Sequence, residues 1–197
     1  CIPTFTASKT KVGEPQIGSY GLYFGRITEE KGVETVVQAY EKLQKYTVKI
    51  MGDDTTEEAI RLKRYIKEHK IKNIEFLGFK SGEELEDIIK GARFTLIPSI
   101  WYDNLPNTAL ESFQYSKPVI ASNIGSLPEL VVDGENGYLF KPADAEDLIK
   151  KIKLLDDDTV VEKMGAASRR RLESRFSPET HYEALMKVFS EAVKNNK

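Results

Sequence analysis

The sequence predicts an α/β domain built on a doubly wound parallel sheet of six strands, with extra helices at its C-terminal end. Three observations carry that expectation. Short β-favouring runs alternate with amphipathic helical patterns, the signature of βαβ units. The runs are almost continuously apolar, as strands covered on both faces must be. Four helical patterns open on a hydroxyl residue with a glutamate three positions on, or on Ser-Pro.

Residues 1–17 are rich in Pro, Gly, Thr and Lys and show no period, which reads as a lead-in or interdomain linker. Residues 18–197 read as one domain. Strands are expected at Tyr20–Gly25, Thr47–Gly52, Ile74–Gly78, Arg93–Pro98, Pro118–Ser122 and Gly137–Phe140. Between them, Val33, Val36, Val37, Tyr40 and Leu43 recur at helical spacing, as do Leu85, Ile88 and Ile89. After Phe140 three successive helices are expected over 144–156, 158–173 and 178–195. Thr55 with Glu58, Ser81 with Glu84 and Ser126 with Glu129 fit capping boxes, and Ser177-Pro178 fits an N-cap. Gly134 and Gly137 read as a turn, and Gly125 with Glu129 as a helix start. Arg169, Arg170 and Arg171 read as a solvated face, and His69 and His181 as surface residues.

Composition bounds the function. The chain has 197 residues, of which 29 are Lys or Arg and 31 Asp or Glu, a net charge of -2. That balance argues against a nucleic-acid partner, which calls for a basic excess. One cysteine, Cys1, excludes an internal disulfide, and with only two histidines no Cys/His metal cluster can form. The longest apolar stretch, Phe94 to Tyr102, is interrupted by Thr95, Pro98 and Ser99, far short of the ~20 residues of a membrane helix. The chain opens on Cys1 with no signal peptide after it, which reads as a piece of a longer, cytoplasmic protein.

Ligands of open parallel sheets bind beyond the carboxyl ends of the strands. The loop after the first strand carries Gly25, Arg26 and Lys31 ahead of a helix, without the Gly-x-Gly-x-x-Gly or Gly-Lys-Ser/Thr of dinucleotide and P-loop sites. Arg and Lys can neutralise phosphate, although on spacing alone solvated loop residues are the plainer reading. After the fourth strand, Asp103 precedes a helix entered by Asn104 to Thr108 and bearing Glu111. A helix N-terminus is a ready anion site. As a glycosidase pair, Asp103 and Glu111 would be spread ~12 Å along a helix, beyond the roughly 5–9.5 Å that hydrolysis uses.

The ordered set Gly25-Arg26, Lys31-Gly32, Phe76-Leu77-Gly78, Pro98-Ser99, Asp103 to Glu111, Pro118-Val119-Ile120-Ala121, Gly125 to Glu129 and Asp133-Gly134 to Asn136-Gly137 resembles the C-terminal half of a family 4 glycosyltransferase, over about residues 18–196. The resemblance implies one half of a GT-B fold, the Rossmann-like half that holds a nucleoside diphosphate sugar, in a retaining enzyme. It implies that Arg26 and Lys31 neutralise the donor diphosphate and that Glu111 is the second acid of the family's Glu-(seven residues)-Glu motif, on the ribose. Asp103 stands where the first Glu, on the donor sugar, should be. Asp is one methylene shorter, a departure. Asn104, Leu105, Asn107 and Thr108 would offer backbone N–H groups, and Leu77, Gly78, Phe79 and Lys80 would lie near the base. Gly52-Asp53-Asp54 departs from a loop that often has a second Gly.

By the same resemblance the partners are a UDP- or GDP-sugar and a saccharide or lipid-linked acceptor held by an N-terminal domain that this chain does not contain. No cofactor or metal is expected. The basic run Arg61, Lys63, Arg64, Lys67, Lys70 and Lys72 reads as a solvated face, with peripheral contact to anionic lipid at the inner membrane face as the alternative. A sugar-nucleotide epimerase of the same architecture and a non-catalytic nucleotide-binding or scaffold domain are the competing functions.

Overall fold

The computed structural model describes residues 16–195, with side chains to residue 193. Cys1 and all but the last two residues of the expected linker lie outside the described residues. Strands β1 (Tyr20–Phe24), β2 (Val48–Met51), β3 (Ile74–Gly78), β4 (Ala92–Ile97), β5 (Val119–Ser122) and β6 (Gly137–Phe140) form one parallel sheet in the order β3-β2-β1-β4-β5-β6. All six expected strands are present, with ends moved by no more than one residue. The helices are α1 (Val33–Lys42), α2 (Glu57–Glu68), α3 (Gly82–Lys90), α4 (Asn107–Gln114), α5 (Leu127–Leu130), α6 (Ala145–Lys153), α7 (Asp158–Arg175) and α8 (Pro178–Asn195). The domain is thus Rossmann-like and doubly wound. Among the described residues no helix is long and apolar enough to cross a membrane.

Alternation along β1 divides the core. Tyr23 points to the side where α1, α2 and α6 supply Val36, Val37, Tyr40, Leu62, Leu148 and Ile152. Leu22 and Phe24 point to the other side, against Met51, Ile89 and Tyr115. Beneath α4 and α5 a further cluster joins Ile97, Leu110, Phe113, Leu127 and Leu172. Central strands buried on both faces explain why their sequences read as continuous apolar runs.

The helix starts differ in detail from the expected capping boxes, and two of the hydroxyls, Thr55 and Ser126, serve other partners. Thr56, not Thr55, caps α2, accepting from the Ala59 N–H at 3.2 Å. Thr55 instead donates to Asp53, and Glu58 binds Arg61. Ser81 precedes α3 without a side-chain cap bond, while Glu84 takes Lys80. Ser126 has helical φ and ψ of -84° and -6°, which turns its hydroxyl away from the first-turn N–H groups. Ser177 does cap α8, accepting from Thr180 N–H at 3.1 Å. The arginine run on α7 is more than a solvated face: Arg169 donates to the Gln114 carbonyl at 2.8 Å and Arg171 to the Glu129 carbonyl at 2.6 Å, tying α7 to α4 and α5. On α2, Arg61 and Lys63 are engaged by Glu34, Glu58 and Asp54. His69 stacks on Tyr65 and meets Glu41.

Lys117, two residues ahead of β5, is 2% exposed. Its ammonium donates to the carbonyls of Gln16 at 2.7 Å and Lys90 at 2.6 Å, fastening the start of the described chain to the end of α3. Burial pulls its pKa down from 10.5 to about 8. Between those two values the unfolded chain binds more protons than the folded one, so stability rises with pH. Relative to Lys117→Met, the unfolding free energy of the wild type should climb between pH 8 and pH 10.5, by about 3 kcal/mol at most. Chemical denaturation across that range checks it. A flat difference would mean that the buried amine keeps its ordinary pKa.

Candidate functional site

The sheet order reverses between β1 and β4: β2 and β3 build outward on one side, β5 and β6 on the other. Loops leaving β1 and β4 therefore diverge and open a crevice at the carboxyl edge. Behind the crevice the two loops are held together. The Ile100 N–H donates to the Glu30 carbonyl at 3.0 Å. Gly32, at φ +67°, lies so close to β4 that a β-carbon there would meet the Pro98 carbonyl oxygen at 2.0 Å. That contact sets Lys31 opposite Asp103, with its Nζ 2.5 Å from Asp103 Oδ1. Ser99 Oγ donates to the other carboxylate oxygen at 2.5 Å. The Ser126 hydroxyl, which does not cap its helix, donates to the Asp103 carbonyl at 2.9 Å.

The floor is backbone. Gly25 N–H donates to the Met51 carbonyl at 3.0 Å, and Gly52 N–H to the Gly78 carbonyl at 3.1 Å. At Gly52 a β-carbon would lie 2.0 Å from the Gly25 carbonyl oxygen. The loop after β2 needs its glycine there. Asp53, where the sequence departs from the resembled pattern, accepts from Thr55 N–H at 3.0 Å and closes a turn.

Two lobes open above this floor. The larger, about 490 Å³, is walled by Phe24, Ile27, Met51, Phe79 and Leu85, with Thr28, Asp53, Thr56, Lys80 and Glu111 supplying polar atoms. The smaller, about 200 Å³, is lined by Tyr23, Lys31, Pro98, Ser99, Asp103, Pro106 and Asn107, among others. The lobes share Phe24, Gly25, Arg26 and Thr108, so they form one continuous cleft.

Of the residues named from sequence, Gly25, Arg26, Lys31, Phe79, Lys80, Asp103, Asn107, Thr108 and Glu111 line this cleft. Four do not line it. The Leu77 side chain packs with Leu22 and Phe24, and Leu105 packs on the Ile97 cluster. Asn104 is exposed, and Gly78 contributes its carbonyl to the floor. Sequence reasoning missed Thr28, Met51, Thr56, Leu85 and the hydrogen bond of Ser99. The position of Thr28, Met51 and Ser99 at or just after strand ends was the available signal. Trp101 and Tyr102 stand exposed beside Asp103.

Electrostatics differ between the lobes. Burial pushes the Glu111 carboxyl above the usual range. Burial, with the nearby Asp103 carboxylate second, pushes the Tyr23 phenol well above its usual value. That phenol donates to the Arg26 carbonyl and so props the loop from below. At the smaller lobe Lys31, Arg26 and the start of α4 present positive charge and first-turn N–H groups, as an anion requires. The larger, mostly apolar lobe fits a flat ring with a few polar atoms. Among the described residues no cluster of three or more His, Cys, Asp or Glu is arranged to hold a metal.

The chain is similar to known proteins over most of its length. A family model described as glycosyl transferases group 1 matches residues 5–171. An uncharacterized glycosyltransferase of Methanocaldococcus jannaschii is 28% identical over 173 residues, 88% of this chain and 48% of its own length. Glycogen synthase of Mycobacterium tuberculosis is 28% identical over 198 residues, 98% of this chain and 46% of its own. HepE of Anabaena, solved with UDP and glucose, superposes with a TM-score of 0.79 at 20% identity, over 88% of this chain and 48% of that one. The chain spans about half the length of the relatives it matches.

The Gly32 contact can be tested directly. Gly32→Ala must move the β1 loop off Pro98, whereas Gly134, at φ +80° with nothing within 4 Å of a β-carbon, would bear only backbone strain. Gly134→Ala should cost about 1–2 kcal/mol, and Gly32→Ala at least ~1 kcal/mol more through the displaced loop. Urea denaturation of both variants decides; equal losses would mean that the approach to Pro98 does not constrain the loop.

Proposed function

The chain belongs to the glycosyl transferases group 1 family, and from that premise we propose that it is the donor-binding half of a retaining hexosyltransferase using a nucleoside diphosphate sugar. The observation that carries this reading is the continuous cleft, one lobe apolar and the other cationic, joined at Gly25, Arg26 and Thr108. A nucleoside suits the larger lobe and a diphosphate the junction, with the sugar at Asp103. HepE, with UDP and glucose bound, is a neighbour in fold and makes uridine the first base to test.

In this reading the acceptor hydroxyl oxygen bonds to the anomeric carbon as the bond from that carbon to the diphosphate oxygen breaks. The electron pair leaves with the diphosphate, which also takes the hydroxyl proton. Charge builds on the departing oxygen, and Lys31, Arg26 and the start of α4 are placed to stabilise it. Neutralisation falls to these groups, so the mechanism calls on no metal. Asp103 accepts from a sugar hydroxyl. Glu111, in the larger lobe, accepts from the ribose. The acceptor and the other cleft wall come from the half that the relatives have beyond this match. Without it the chain should transfer no sugar by itself, since nothing orients the acceptor.

Calorimetric titration with UDP and uridine tests the phosphate assignment. Lys31→Ala should weaken UDP binding by roughly ten- to a hundredfold, the worth of one charge-assisted contact, and leave uridine unchanged. Equal losses for both would remove Lys31 from the phosphate site.

A further inference from the structure

We propose that Asp103 is an internal stand-in for the donor's diphosphate, exchanged on Lys31 when the donor binds, and that Ser99 is the positioning residue that then keeps its carboxylate in the sugar site. The proposal rests on the donor-site reading above and says how that site changes partners.

The ammonium of Lys31 has an anion within the protein itself. Asp103 Oδ1 lies 2.5 Å from it, and each side chain is only 19% exposed. A carboxylate oxygen there occupies a place that a phosphate oxygen would take. Two anions on one partly enclosed ammonium repel, so an arriving diphosphate and Asp103 compete for Lys31. The diphosphate brings more charge and can also reach Arg26 and the first N–H groups of α4.

Once displaced, Asp103 does not have to leave the cleft. The Ser99 hydroxyl holds Oδ2 at 2.5 Å, and the Ser126 hydroxyl holds the Asp103 backbone carbonyl at 2.9 Å. Only Oδ1 changes partner, and it is then free to accept from a sugar hydroxyl. The short side chain favours an exchange: Asp reaches one methylene less far than Glu, and with Oδ2 on Ser99 it is Oδ1 that leaves Lys31 to meet the sugar. The consequence is directional. Asp103 opposes a bare nucleoside diphosphate, and it favours one that carries a sugar. After transfer the sugar is gone, Asp103 returns to Lys31, and the spent nucleotide is expelled.

The test is calorimetric titration of the chain with two probe pairs, UDP with UDP-glucose and GDP with GDP-mannose. Asp103→Asn should bind the nucleoside diphosphate about tenfold tighter than the wild type, by loss of the competing charge, and should lose the extra affinity that the sugar confers. Asp103→Ser, too short to reach Lys31, should do the same. Ser99→Ala should leave nucleoside diphosphate affinity within about twofold and diminish the sugar's contribution by about tenfold, and Ser99→Thr should restore it. Wild type that binds a pair, with both Asp103 variants binding its diphosphate no tighter, would overturn the exchange alone. Equal losses in Ser99→Ala and Ser99→Thr would overturn the role of Ser99. Wild type that binds neither pair would sink the donor-site reading, and the exchange with it.

Discussion

The Pro98 carbonyl oxygen lies 2.0 Å from the place where a β-carbon on residue 32 would sit. The charged end of the cleft follows from this approach. The loop leaving β1 can press against the end of β4 only because residue 32 is glycine and because the strand order reverses between those two strands. Pressed there, the loop forms the hydrogen bond from Ile100 to Glu30 and turns Lys31 toward Asp103, 72 residues away in sequence. Neither loop could place a charge so closely by itself. The sheet supplies the rigid base, and two short backbone contacts convert it into a defined distance between an ammonium and a carboxylate.

The same edge sets the chemistry of the two lobes. Glycines at the ends of β1, β2 and β3 keep the floor free of side chains, so the larger lobe is walled by apolar groups and reaches the backbone. Glu111, brought into that lobe by the first turns of α4, carries a carboxyl whose proton is held more tightly through burial. Perturbed carboxyls in clefts are frequent at functional sites. The start of α4 faces the smaller lobe and complements Lys31 and Arg26 there. A ligand with an apolar ring at one end and concentrated negative charge further along matches this order of environments along the cleft.

Much of the fold was legible. Strands covered on both faces must be apolar throughout, so their runs stood out, and only their ends at Gly25, Thr47, Gly52, Arg93, Pro98 and Pro118 shifted by a residue. Helix starts were less legible, because a serine hydroxyl has several partners in reach: Ser126 serves the Asp103 carbonyl and not its own helix. Of the site, the residues just after strands could be read, since parallel sheets bind ligands there. Leu77 and Leu105 turn into the core, which the position in the motif could not reveal. The pairing of Lys31 with Asp103 was also hidden, since it depends on which strands are neighbours and on Gly32 touching Pro98. The run at Arg169 to Arg171 looked solvated because its acceptors are backbone carbonyls of distant helices, which leave no mark in sequence.

The central claim is that a sugar nucleotide lies along the carboxyl edge, from the end of β2 across the β1 loop to the start of α4. The most direct measurement is the map of backbone amide shifts in the NMR spectrum of the chain on addition of UDP-glucose. The account predicts the largest shifts at Gly25, Arg26, Lys31, Asn107 and Thr108, with smaller ones at Gly52, Asp53 and Phe79. Saturating UDP-glucose that leaves these amides unmoved, or that moves only the opposite edge around His69 to Asn73, would contradict it.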